Sequence, residues 1–312
     1  SKDLNVTKTA ARLFISQQTL SNHIMRMETE FKTRLFYRKP KLMLTESGRE
    51  MLIFAKNVLS NQQHFRNILA DIEEEQHGHI RFGASYLNSR TCLPSVLPKF
   101  AKEYPDVSIE LTEFTSARLQ QLMLNGDLDM ALTVINDNAP NLKTTLITED
   151  KVYLCVSEKL LKKYYGKETP AKKESAINGA YVEDFKDLPF SIVAPPNILG
   201  ISISKCFEEA NVAPKIYFSS TSVGLGSTIC SNALAACFFS HINLINSMPT
   251  ISKDINIFPL MYKGKPVYHK RYLVTNSKLY MTKYMLRFEE LIINCFSQLR
   301  ATDLTRIVKN KR

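Results

Sequence analysis

Residues 6–27 read VTKTAARLFISQQTLSNHIMRM. Ala10 and Leu13 fall on one face of a short helix, Phe14 and Ile15 fill a tight turn, and Ser16 stands where an N-cap opens a second helix. In that second helix Leu20, Ile24 and Met27 share the inward face at i, i+4 and i+7. Two short helices around an apolar turn are the pattern of a helix-turn-helix, whose second helix enters the major groove of double-stranded DNA. Its opposite face carries Gln17, Gln18, Thr19, Ser21, Asn22 and Met25. Amide side chains match the N6 and N7 edge of adenine, each bidentate contact giving about 1–3 kcal/mol of discrimination between bases. Arg34, Arg38, Lys39 and Lys41 follow where a loop would run along phosphates, which positions a protein without reading sequence.

A helical hairpin with a solvated polar face would show the same spacing, so the charge matters. The chain has 312 residues and a net charge of +11. Residues 1–43 hold nine basic side chains against three acidic ones, so more than half of the excess sits in the first seventh of the chain. That location favours an anionic partner for this block.

The length is more than one ordinary domain needs. With 44% hydrophobic and 23% charged residues, the composition is that of a globular protein and excludes a disordered chain or a collagen-like fibre. No apolar run reaches the ~18–20 residues of a membrane span, so no membrane partner is expected. The N-terminus shows no secretory pattern, and the six cysteines are scattered without a C-x-x-C, as expected of reduced thiols in the cytoplasm.

From Glu46 to Gln76 the pattern is one long helix, opened by Thr45 as N-cap. Met51, Ala55, Val58, Gln62, Phe65, Leu69 and Ile72 recur at alternating spacings of 4 and 3, a heptad seam with one polar member. The seam is expected to pair with a second copy of the chain, making a homodimer; packing on its own domain is the plainer alternative. Gly78 is expected to stop the helix and begin a linker.

Beyond His79, strands alternate with helices. Strands are expected at 80–84, 107–111 and 130–135, with helices at 94–104 and 116–125 between them. A second series has strands at 191–194, 215–218 and 234–239 and helices at 201–211 and 222–232. Residues 160–187 are expected to be a loop-bearing junction. Such alternation argues for an α/β fold with mainly parallel sheets. Open α/β sheets bind ligands at the carboxyl ends of strands, where helix N-termini attract anions. Candidate ligand contacts are therefore Ser85, Tyr86, Thr115, Ser116 and Thr133 in the first series, and Asn197, Thr221 and Ser222 in the second.

Catalysis finds little support. The six histidines show no H-E-x-x-H and no metal spacing, and Gly224-Leu225-Gly226 lacks a third glycine at the dinucleotide spacing, so neither metal nor cofactor is expected.

The runs T-A-A-R-L-F-I-S-Q-Q-T-L-S-N-H-I (9–24), M-E-T-E-F-K-T-R-L-F-Y-R (27–38) and L-T-E-S-G (44–48) resemble the LysR-type transcriptional regulators. Ala10, Leu13, Ser16, Gln17, Leu20, Ser21 and Ile24 match that pattern, as do Glu28, Leu35, Phe36, Arg38, Leu44, Thr45 and Gly48. Thr9, Gln18 and Lys32 depart from it, standing where Ala, Pro and Gly are usual. The resemblance implies a winged helix-turn-helix over 1–48, its first helix incomplete, and a linker or dimerisation helix over 49–77. It further implies a two-lobed α/β effector domain of the periplasmic-binding-protein type II kind, one lobe from 78–157 plus 268–312 and the other from 158–267. A homotetramer, promoter DNA and a small-molecule effector between the lobes are implied with it. The rival reading is a small-molecule-binding protein or enzyme on the same two-lobed fold. A further variant is a cysteine-based redox-sensing regulator: Cys206 lies in the helical region where one sensing cysteine of a peroxide-sensing branch falls. Reactive cysteines need an exposed, electropositive setting, and an apolar context argues for buried, inert thiols.

Overall fold

The computed structural model describes residues 4–39, 41–73, 77–134, 139, 141–221, 224–277 and 279–304. Helix α1 (Val6–Arg12) opens at Asn5, whose side chain accepts from the Lys8 amide at 3.0 Å. A tight turn with Phe14 at φ +55° leads to Ser16, whose hydroxyl caps α2 (Gln17–Glu30) by accepting from the Thr19 amide at 3.0 Å. Strands β1 (Phe36–Tyr37) and β2 (Met43–Leu44) pair as a small antiparallel wing. Glu28 fixes the wing to α2, accepting from the amides of Leu35 at 2.8 Å and Phe36 at 3.3 Å.

Thr45 then caps α3 (Glu46–Ile72), accepting from the Gly48 amide at 2.9 Å and donating to the Arg34 carbonyl at 2.6 Å. Glycine is required at 48 because a Cβ there would stand 2.0 Å from the Leu35 carbonyl oxygen. At about 1.5 Å per residue, α3 is about 40 Å long. It stops at Ile72, and Gly78 is the first residue of the next strand rather than a helix stop. Gly78 serves packing: a Cβ would lie 2.6 Å from the Tyr284 ring.

The rest of the chain begins with β3 (Gly78–Ala84), α4 (Tyr86–Glu103), β4 (Val107–Glu113), α5 (Ser116–Leu124), β5 (Met130–Thr133) and the long β6 (Leu142–Ser157). Next come α6 (Glu158–Tyr165), α7 (Thr169–Ala176), β7 (Pro189–Val193), α8 (Ile198–Glu209), β8 (Lys215–Ser220), α9 (Gly226–Ser231), β9 (Ala236–Ser240) and α10 (His241–Ser247). It closes with β10 (Ile255–Pro259), the hairpin β11 (Met261–Tyr262) and β12 (Lys265–Pro266), β13 (Tyr268–Asn276) and α11 (Lys283–Arg300).

Three expectations need correction here. Helix α4 starts at Tyr86, not near Pro94, and runs through Pro94 and Pro98; both prolines lie on its exposed face, where water can serve the carbonyls they leave unbonded. Residues 160–187 are mostly helical, because Leu160, Leu161, Ala176, Val182 and Phe185 are buried in the second-lobe core. The sheet is mixed rather than mainly parallel. Its order is β4-β3-β5-β13-β6-β9-β7-β8, with β10 also on β6. The triplets β4-β3-β5 and β9-β7-β8 are parallel, but β13 and β6 join them through antiparallel pairs.

The linking strand β6 changes partners along its length. It pairs with β13 up to Lys151 and with β9 and β10 from Val152 to Ser157. One core, with Phe82, Phe100 and Phe288 in ring contact, packs α4 and α11 on the first triplet. The second triplet is covered on both faces, by α6, α7 and α8 on one side and α9 and α10 on the other.

Candidate nucleic-acid interface and ligand cleft

Helix α2 divides by polarity. Leu20 and Ile24 are half-buried, while Gln17, Gln18, Thr19 and Asn22 are exposed and Ser21 is partly so. Gln17 accepts from the Thr7 hydroxyl at 3.1 Å, which steadies it against α1, and Thr19 bonds the capping Ser16 hydroxyl at 2.8 Å. Arg34, Lys39 and Lys41 are exposed on and beside the wing, and Arg38 bonds Glu28 at 3.3 Å. The basic residues thus follow a β-hairpin rather than a plain loop. Phe14, expected to fill the turn, is instead 96% exposed.

The seam on α3 is divided too. Met51 and Ala55 line an apolar hollow of about 240 Å³ together with Leu20, Ile24, Leu35 and Leu44, so they face their own domain. Val58, Phe65 and Leu69 are exposed, as are Phe54 and Leu59, which the heptad reading did not include. The Ile72 side chain lies outside the described ones. Lys56, on the same helix, reaches Asp127 at 2.8 Å and so ties α3 to the turn before β5.

Sheet register alone locates a cleft. The carboxyl ends of β3, β4 and β5 share one edge because the three are parallel. Thr133 at the end of β5 and Leu146 on β6 both lie opposite Tyr272, and β6 then continues past that edge. Further on, Val152 lies opposite Ser240, the end of β9, and β7 and β8 run parallel to β9. The carboxyl ends of the two triplets therefore face each other across 147–151 of β6 and the paired start of β13. At ~3.3 Å per residue they stand about 20 Å apart along β6.

The expected effector residues divide between these edges. Ser85 caps α4, accepting from the Asn88 amide at 3.4 Å, and the exposed Tyr86 accepts from Arg90 at 2.6 Å. Thr115 precedes α5 without a side-chain cap bond, Ser116 accepts from the Val134 amide at 3.2 Å, and Thr133 is buried. On the other edge Asn197 caps α8, accepting from the Leu199 amide at 3.0 Å, and Thr221 is exposed just past β8. Ser222 lies outside the described residues.

Sequence reasoning missed the groups at the crossing itself. Arg271 on β13, 1% exposed, donates to Asp150 on β6, to Asn88 on α4 at 3.1 Å, to Ser240 at 3.2 Å and to Asn243 on α10 at 3.0 Å. Asp150 also accepts from the Thr148 hydroxyl at 2.8 Å. Asn246 adds a second tie between the halves, donating to Thr91 at 2.6 Å. His269 lies opposite Asp150 in the ladder; burial, then the nearby Arg271 charge, pushes its pKa down to about 3. The only sequence signal was a charged run, HKR, inside an otherwise strand-like YHKRYLVT.

Five of the six cysteines are buried, Cys295 being the exception. Burial, with Glu183 nearby, pushes the Cys206 thiol up to about 11, and its sulfur donates to the Ser202 carbonyl at 3.2 Å. Cys155 on β6, Cys230 on α9 and Cys237 on β9 are buried in one cluster, with the first two thiols raised well above their ordinary value. Among the described residues no group of three His, Cys, Asp or Glu side chains is placed to hold a metal ion, and no helix is long and apolar enough to cross a membrane.

Residues 1–49 match the bacterial regulatory helix-turn-helix protein of the lysR family, and residues 73–242 match the LysR substrate binding domain. The chain belongs to the LysR family. The HTH-type transcriptional activator IlvY of Haemophilus influenzae is 38% identical over 138 residues, 44% of this chain and 47% of its own length. The chain spans about half the length of the curated relatives it matches. Solved LysR-family structures align over nearly the whole chain. A full-length OxyR variant from Pseudomonas aeruginosa superposes with a TM-score of 0.67 at 16% identity, covering 96% of this chain and 90% of its own. CbnR in complex with its target DNA superposes with a TM-score of 0.58 at 17% identity, covering 94% and 95%. The two-lobed α/β fold behind a helix-turn-helix is thus that of full-length LysR regulators.

Proposed function

We propose that the chain is a ligand-responsive transcription regulator that binds promoter DNA through α2 and the β1–β2 wing and senses a small molecule between its two lobes. The observation that carries the reading is the outward amide face of α2, with Gln17, Gln18 and Asn22 exposed and the basic wing beside it. The division into 1–48, 49–77, a first lobe of 78–157 plus 268–312 and a second of 158–267 follows this reading, the strands crossing where β6 changes partners.

The effector is a small polar molecule, held by hydroxyls and amides at the N-termini of α4, α5 and α8, where an anionic group is favoured. Preference for one lobe arrangement over another shifts how the protein sits on DNA. The exposed stripe Phe54, Val58, Phe65 and Leu69 pairs two copies through α3, and a homotetramer assembles from such dimers. The two-lobed half is read as a sensor and not as an enzyme, and the protein as acting in the cytoplasm, where promoter DNA lies.

The test is retardation of promoter DNA by the full chain across salt concentrations. Affinity falls steeply as salt rises, because basic side chains displace counterions from phosphates. Gln18→Ala with Asn22→Ala removes sequence preference while leaving non-specific binding. Flat salt dependence, or preference that survives both substitutions, rejects α2 as the reading helix.

A further inference from the structure

Away from the cleft residues named above, a cavity of about 520 Å³ opens between α8 and the β11–β12 hairpin. That volume lies within the ~300–1,000 Å³ typical of small-molecule sites. The hairpin turn is of the tight two-residue kind. Met261 pairs with Pro266 and Tyr262 with Lys265, while Lys263 and Gly264 sit at φ +48° and +74° between them. This turn sets Lys263 and Lys265 on the cavity wall, facing Lys205 of α8. Lys263 is held by Glu209 at 2.9 Å, but among the described residues neither Lys205 nor Lys265 has an acidic partner. Two aromatic rings, Tyr262 and Tyr268, and the aliphatic Pro266 and Val267 make up most of the remaining lining.

Cations around an apolar body define a ligand chemistry. We propose that this cavity is a second small-molecule site, which takes a small organic anion with its carboxylate toward Lys205 and Lys265 and its apolar body against Tyr262, Tyr268 and Val267. Cys206 also lies in the wall, its thiol donating to the Ser202 carbonyl. The site is placed to influence the cleft without belonging to it. Helix α8 starts at the cleft residue Asn197, and Val267 and Tyr268 lead directly into the crossing strand β13. A ligand here touches both.

The chain contains no tryptophan, so Tyr262→Trp introduces a single tryptophan into the wall, which can be excited apart from the tyrosines. Phenylacetate is titrated into the full chain carrying this reporter, with phenylacetamide as the uncharged isostere, and calorimetry repeats the titration on the unsubstituted chain. The expected result is saturable binding that weakens about tenfold on K205Q or K265Q, since a hydrogen bond to a charged partner is lost. Phenylacetamide should bind no better than the lysine variants bind phenylacetate, and Thr115→Val with Thr221→Val in the cleft should leave binding unchanged. Saturable binding that ignores K205Q and K265Q but disappears with the cleft substitutions places the anion between the lobes and overturns the second site, leaving the proposed regulator intact. Absence of saturable binding in both titrations overturns it as well, whatever the DNA retardation shows.

Discussion

Asp150→Asn keeps the shape of a side chain and takes one negative charge out of the place where the lobes cross. Asp150 and Arg271 are each 1% exposed, so water cannot take over from the carboxylate. The guanidinium keeps Asn88, Ser240 and Asn243, but these are neutral acceptors, and the new amide puts a donor where two donors, Arg271 and Thr148, already converge. Breaking a buried pair from one side costs about 3–5 kcal/mol, because the remaining charge stays buried and uncompensated. Arg271→Met should cost a similar amount for the mirror reason, leaving the Asp150 carboxylate with the Thr148 hydroxyl. The double variant should cost less than the sum of the two, since it removes both charges together. Urea unfolding of the parent, both single variants and the double variant, followed by far-UV circular dichroism, measures the cycle. An Asp150→Asn loss below about 1 kcal/mol, or strict additivity in the double variant, would refute the view that paired charge holds the crossing together.

Acid should weaken the same region through His269. Its folded pKa, about 3, lies below the ordinary 6.5, so the unfolded chain takes up the proton first. Stability from His269 is full above pH 6.5 and declines as pH falls toward 3, with about 2 kcal/mol lost by pH 5. His269→Gln should flatten that part of the urea-midpoint profile, and equal slopes in both proteins would reject the assignment. Gly48→Ala drives a Cβ to 2.0 Å from the Leu35 carbonyl and should destabilise the N-terminal block by about 1–3 kcal/mol, read from its thermal melt; an unchanged melt rejects the packing role. Val58→Glu with Phe65→Glu should shift the protein toward monomer in light scattering with its helix content retained, and a persistent dimer rejects pairing along this stripe.

The N-terminal block was readable from sequence because its determinants are local. Ser16 and Thr45 cap helices within three residues of themselves, and the i, i+4 positions Leu20 and Ile24 turn inward as their spacing requires. The strands of the parallel triplets were legible for the same reason, since each is a short, largely apolar or alternating run set off by its neighbours in sequence. The links between them were not. Strand β6 buries alternate positions from Thr148 to Leu154, but two of them are the polar Thr148 and Asp150, and its last four residues are all buried, so its hydrophobicity shows no steady period of two. The heptad seam misled in part, because Met51 and Ala55 fit a pairing stripe and a domain core equally well, and only the hollow they line separates the two.

By itself, the sequence determined the helix-turn-helix, its amide face, the basic run that follows it, the family and the α/β character of the rest, since capping, periodicity and charge act within a few residues. Tertiary structure decided what lies between the lobes. Arg271 is 121 residues from Asp150 and 183 from Asn88, and nothing local says that such distant groups will share one dry cluster. A buried charge is tolerated only where its partners converge, and that convergence is made by the crossing of β6 and β13 and by the helices that start beside them.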